Sequence, residues 1–159
     1  MENLFKKEKE IFPITVDYDY GIYEAWKKVL QRTVAWGDVH LKKVKFLHQG
    51  ICKFNCYFAT LQEGSELWDK EKIFIEHNIV PADVMQLFAF ACAHPIKKII
   101  EANKVPIVAA AEGSTAKCSH DLMHTVVCLD WNTYYRNPGP LLHTEFAPFE
   151  KGTRFLAIS

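Results

Sequence analysis

No run of about 18 apolar residues, the length a membrane-spanning helix needs, occurs in the 159-residue chain. The first ten residues, Met1-Glu2-Asn3-Leu4-Phe5-Lys6-Lys7-Glu8-Lys9-Glu10, contain no apolar stretch of the kind that opens a secretory signal. They read as a charged, flexible lead-in, with one domain over residues 11–159. A basic excess is missing too, since Lys and Arg number 19 against 19 Asp and Glu. Proteins that bind DNA or RNA draw much of their affinity from neutralising phosphates, so nucleic acid is a disfavoured partner. The only basic clusters, Lys42-Lys43-Val44-Lys45 and Lys97-Lys98, read as solvated surface. A disulfide framework is lacking as well: the five cysteines are odd in number and lie in apolar sequence. They are expected to be reduced thiols of a cytoplasmic protein. There is no internal repeat, no low-complexity tract and no cofactor fingerprint.

What is present is material for a core. Apolar residues make up 49% of the chain and aromatics 13%, and a domain of this length buries roughly 70% of its unfolded surface. Residues 12–18 read as an edge strand that tolerates Pro13 near its start. Ile22, Trp26, Val29, Leu30 and Thr33 recur at helical spacing and predict a helix over residues 20–36, broken by Gly37-Asp38. Residues 41–48 and 51–61, joined by Gln49-Gly50, predict a hairpin with Gly50 at positive φ. In its second arm Cys52, Phe54, Cys56 and Phe58 share the core face. Lys53, Asn55 and Tyr57 share the other, partly wet one.

Helices are expected over residues 65–77, ending at Asn78, and from Pro81-Ala82-Asp83 through Ala93. The second is apolar nearly all round and therefore central. Pro95 stops it, and a short helix follows over residues 96–102. Residues 105–111 form a continuous apolar run suited to a central strand, and residues 124–131, 141–146 and 153–158 complete the set. Residues 112–115 and 137–140 are turns. Six or seven strands with three or four grouped helices indicate an α+β fold, a mostly antiparallel sheet packed on helices.

The densest group of reactive side chains is Cys118-Ser119-His120-Asp121-Leu122-Met123-His124, closing on Cys128. Thiolate and imidazole are the usual zinc ligands, so Cys118, His120, His124 and Cys128 are the metal candidates. Spacing argues against one site, because an extended segment would hold the outer pair ~33 Å apart. Cys52 and Cys56 would lie ~13 Å apart on one strand face, too far to share an ion, and with Cys92 they read as core fillers. Cys118 with His120 or His124, and with Asp121 or Asp130, supplies the residue types of a nucleophile and its base. Gly113-Ser114-Thr115 lacks the Lys-Ser/Thr ending of a phosphate loop and reads as a plain turn. Glu112 and Glu145 are the acidic residues nearest to expected strands.

Two resemblances follow from particular residues. The hairpin over residues 41–61, with Pro140-Leu141-Leu142-His143-Thr144-Glu145-Phe146 much later, is similar in outline to the chorismate-lyase-like fold. That resemblance implies a catalytic role for Glu145, although the arginine-bearing stretches of the lyases are missing. Gly113-Ser114-Thr115 with Cys128-Leu129-Asp130-Trp131 resembles small quorum-sensing regulators of the RsaM type. Lys117 and Leu129 stand where two of their tryptophans would be.

The reading these features favour is a small non-enzymatic regulatory or ligand- or protein-binding module, and a regulator of gene expression fits the second resemblance. Four Trp, six Tyr and eleven Phe exceed the needs of a modest core, and a surplus of aromatics suits a pocket or a partner surface. Trp131, Tyr134, Tyr135 and Arg136 are the contact candidates. The surplus also predicts a homodimer. The alternative is a small enzyme using Glu145, His143 or the 118–128 segment, with or without zinc.

Overall fold

The computed structural model describes residues 4–31, 33–35, 46–64, 70–103, 106–111, 115–117, 124–132, 139–145 and 149–159. Their order is β1 (Phe5–Lys7), β2 (Phe12–Asp17), α1 (Ile22–Leu30), β3 (Val34–Ala35), β4 (Ile51–Leu61), α2 (Lys70–Glu76), β5 (Val80–Pro81) and α3 (Val84–Ala93). Then come α4 (Ile96–Asn103), β6 (Ile107–Ala109), β7 (Thr115–Lys117), β8 (His124–Asn132), β9 (Gly139–Glu145) and β10 (Arg154–Ile158). One mixed sheet takes in every strand, along the path β1-β4-β10-β6-β8-β9-β3, with β2, β5 and β7 attached at its margins. Only β10–β6 and β3–β9 run parallel. The architecture is the expected single-domain α+β one, mostly antiparallel.

β4 organises it. One of its edges carries β2 and β1 end to end, with Phe12 opposite Cys56 and Phe5 opposite Leu61. Its other edge carries β10. Side chains alternate across a strand, and in β4 both faces are buried at the C-terminal half. Cys56 and Phe58 enter a core made with β2, α1, α3 and α4. Tyr57, Ala59 and Leu61 enter a second core with Phe5, Phe74, Ile79, Phe149 and Phe155. The same division runs through β10, β6 and β8, so the sheet is a wall between two apolar clusters.

Local chemistry explains the helix boundaries. Asn78 adopts φ 51°, and its N–H reaches Ile75 O while Ile79 N–H reaches Phe74 O, closing α2 with a left-handed turn. Asp83 caps α3: its carboxylate accepts from Gln86 N–H, and the Gln86 side chain accepts from Asp83 N–H, both at 2.8 Å. Six apolar residues of α3 are buried, among them Leu87, Phe88 and Phe90. His94, extended ahead of Pro95, ends it.

Several expectations need correction. Residues 5–7, assigned to the flexible lead-in, form β1, because Phe5 is an apolar anchor stacked on Phe74 at 5.4 Å. The hairpin does not form as expected. Gly50 has its positive φ of 66°, but residues 46–48 are not a strand, and residues 41–45 lie outside the described residues. Along one edge β4 pairs with β2, whose Phe12, Ile14 and Val16 match its core face. Tyr57 is buried rather than partly wet. Pro81 belongs to β5 and not to the first turn of α3, because Ala82 N–H is held by Leu156 O. α1 is also shorter than its periodicity suggested, ending at Leu30.

Candidate functional site

The fold leaves a half-open apolar cleft beside β2. Its wall is Thr15, Val16 and Asp17; its floor is Met85, Phe88, Ala89, Cys92 and Ala93 of α3; its roof is Ala25 and Lys28 of α1, with Tyr20 between. The volume is about 300 Å³, at the lower bound of small-ligand pockets. α1 is held over α3 by Trp26 against Phe88, ring centroids 5.7 Å apart, and by the fully buried Val29. Alanine at 25, 89 and 93 is what keeps the two helices from filling the space between them.

Polar groups gather at the rim. The Lys28 ammonium lies 4.2 Å from the centre of the Tyr20 ring, a cation–π contact that holds the charge at the mouth. Asp17 Oδ1 accepts from Asp19 N–H at 3.1 Å, and Asp19 Oδ1 accepts from Gly50 N–H at 3.2 Å. Each carboxylate thus has one oxygen engaged by backbone.

Behind the cleft, Tyr18 donates its hydroxyl to Asp83 Oδ2 at 2.7 Å, tying the end of β2 to the start of α3. Burial raises the Asp83 pKa above the ordinary carboxylate range, and the Gln86 N–H and Tyr18 hydroxyl offset part of that rise. Burial, then Asp83 itself, pushes the Tyr18 phenol far up. Phe46, His48 and Phe54 surround the Tyr18 ring. A gap of about 60 Å³ beside Asp83, His48 and Gln86 is the size of a water or two. Both Asp83 oxygens already receive donors, so this group pins the segment after β2 to the start of α3.

The residues singled out from sequence are scattered. Trp131 is half-buried, packed on the first core, and its backbone N–H donates to Asp130 Oδ1 at 2.7 Å. Tyr134, Tyr135 and Arg136 lie outside the described residues, as do Cys118, His120 and Asp121. Lys42, Lys43 and Lys45, with Glu112, Gly113 and Ser114, are outside them as well. Cys128 is fully buried in the second core, and His124 begins β8 opposite Lys117. Among the described residues no three His, Cys, Asp or Glu side chains converge as metal ligands would. Glu145 ends β9 opposite Val126, and His143 lies opposite Cys128. Cys52, Cys56, Cys92 and Cys128 are in no disulfide, and burial, with a smaller contribution from Asp83, pushes Cys56 up to about 12.

The cleft went unread in the sequence because it is made by what is small. The signal was there in Ala25 on α1 and in Ala89 and Ala93 on α3, once the two helices are known to face each other. No family model, curated protein or solved structure matches the chain.

Proposed function

We propose that this protein is a small, non-enzymatic binding module, and that its ligand occupies the cleft between β2, α1 and α3. The observation that carries this reading is the cleft itself: a formed apolar cavity with a few polar groups at its mouth, the usual constitution of a binding site. The polar groups behind it support binding over catalysis, since Tyr18, Asp83 and Gln86 bond to one another.

A regulatory role in a reducing compartment such as the cytoplasm is part of the same proposal. Its support is that no disulfide joins the described cysteines, together with the even charge balance, which favours a small-molecule or protein partner over nucleic acid. No helix among the described residues is long and apolar enough to cross a membrane. The exposed apolar side chains Leu47, Ile51, Ile75 and Val80 support self-association into a homodimer.

The test is a thermal-shift screen of metabolite and peptide libraries against the parent and Ala89→Trp. A ligand at 100 times its Kd stabilises by about 2.7 kcal/mol, which a melting curve resolves. The expected result is at least one compound that raises the parent melting temperature and leaves the filled-cleft variant unmoved. Hits that stabilise both proteins equally would place the site elsewhere.

A further inference from the structure

The main-chain geometry of β2 narrows the class of ligand. In an antiparallel pair, successive residues turn their N–H and C=O alternately toward the neighbouring strand and away from it. Tyr18 N–H reaches Gly50 O at 3.0 Å, which sets the phase of the β2–β4 ladder. Phe12, Ile14 and Val16 therefore face β4, while Pro13, Thr15 and Asp17 face outward. Three further bonds agree with that phase. Glu8 N–H reaches Phe58 O on the same β4 edge, and Ser159 N–H reaches Asn55 O on the opposite edge. His94 Nε2 donates to Pro13 O at 2.9 Å from outside the sheet.

Pro13 has no N–H and its carbonyl is taken, so the open edge begins at Thr15. Among the described residues β2 pairs with β4 alone. The apolar cleft lies directly beside this edge, and a second, shallower cavity of about 570 Å³ continues it past Thr15 and Ala93 toward Lys53. An outward-facing N–H and C=O on one residue, flanked by a groove that runs with the strand, matches one kind of molecule: another extended backbone.

We infer that β2 receives a short extended peptide by strand addition. This rests on the cleft being the binding site. The peptide main chain pairs with Thr15. Alternate side chains are apolar and enter the cleft over Met85, Phe88 and Ala89. The intervening ones are polar and stay in solvent.

The probe is a fluorescein-labelled hexapeptide of alternating threonine and leucine, measured by anisotropy against the full chain. Its control is the same peptide with alternate amides N-methylated, which keeps every side chain but removes the pairing donors. The peptide should bind, and N-methylation should weaken it by about tenfold or more, the loss of one or two hydrogen bonds. Thr15→Pro, which deletes an outward N–H while leaving the β4 ladder intact, should weaken binding similarly, as should Ala89→Trp. Because the N-methyl control needs no mutation, misfolding of Thr15→Pro would not protect the inference. Equal binding of both peptides, or no binding by either, overturns it. A small molecule that stabilises the parent but not Ala89→Trp, while the peptide fails to bind, would keep the cleft and refute strand addition. Silence from every library and probe, with Ala89→Trp indistinguishable from the parent, would remove both readings.

Discussion

Tyr18 and Asp83, 65 positions apart in the chain, meet in a 2.7 Å hydrogen bond that joins the residue following β2 to the cap of α3. Asp83 serves two partners at once, the Tyr18 hydroxyl through Oδ2 and the Gln86 N–H through Oδ1. This arrangement fixes one end of the cleft wall relative to its floor.

Removing the hydroxyl with Tyr18→Phe leaves a buried carboxylate short of a donor. The expected cost is about 1–3 kcal/mol, since stranding a buried polar group forfeits its desolvation. Urea unfolding of parent and variant measures it. A variant within ~0.3 kcal/mol of the parent would show that the bond contributes nothing net.

The pH dependence of Asp83 has a definite sign. Burial raises its pKa in the folded state, so the native protein holds this proton more tightly than the unfolded chain does. The stability it contributes is fully present below about pH 4 and is lost as pH rises through the folded pKa. Asp83→Asn keeps a capping oxygen but cannot ionise. It should therefore be more stable than the parent at pH 7, with the gap shrinking toward zero as the solution is taken below about pH 4. Chemical denaturation at several pH values tests this. A variant that is weaker at pH 7 would mean that the Tyr18 and Gln86 bonds outweigh desolvation.

The cysteines should separate into two classes. Cys56 and Cys128 are fully buried, and Cys56 is pushed up to about 12 by its surroundings, so thiolate is scarce at ordinary pH. Iodoacetamide on the native protein at pH 8, followed by peptide mapping, should leave both unmodified while half-buried Cys52 and Cys92 react slowly. Denaturation should expose all five cysteines of the chain. Rapid native labelling of Cys56 would contradict the packing described above.

Much of the fold could be read from periodicity, because periodicity reports burial. The alternation of residues 12–18, the all-round apolar character of residues 84–93 and the positive φ at Asn78 and Gly50 were each visible as residue choices with a local cause. Pairing was not visible. Residues 41–48 next to Gln49-Gly50 have a hairpin's composition, yet β4 pairs with β2, a strand more than thirty residues earlier. Its choice is set by where Phe12, Ile14 and Val16 can be buried, which is a property of the whole molecule. Phe5 was lost among six charged residues of the first ten, although one aromatic suffices to seat a strand. The cleft was hidden for a related reason: an alanine such as Ala89 declares only that nothing large is present. It takes the facing helix to turn that gap into a cavity.

The division of the sheet into two apolar faces has a consequence for how the molecule comes apart. Residues 56–61 of β4 are claimed alternately by both clusters, Cys56 and Phe58 by one, Tyr57, Ala59 and Leu61 by the other. Neither cluster can melt without dragging out the strand that the other depends on. Loss of structure is therefore a single cooperative event, and the amides of this short stretch are the last in the protein to trade their hydrogens with water.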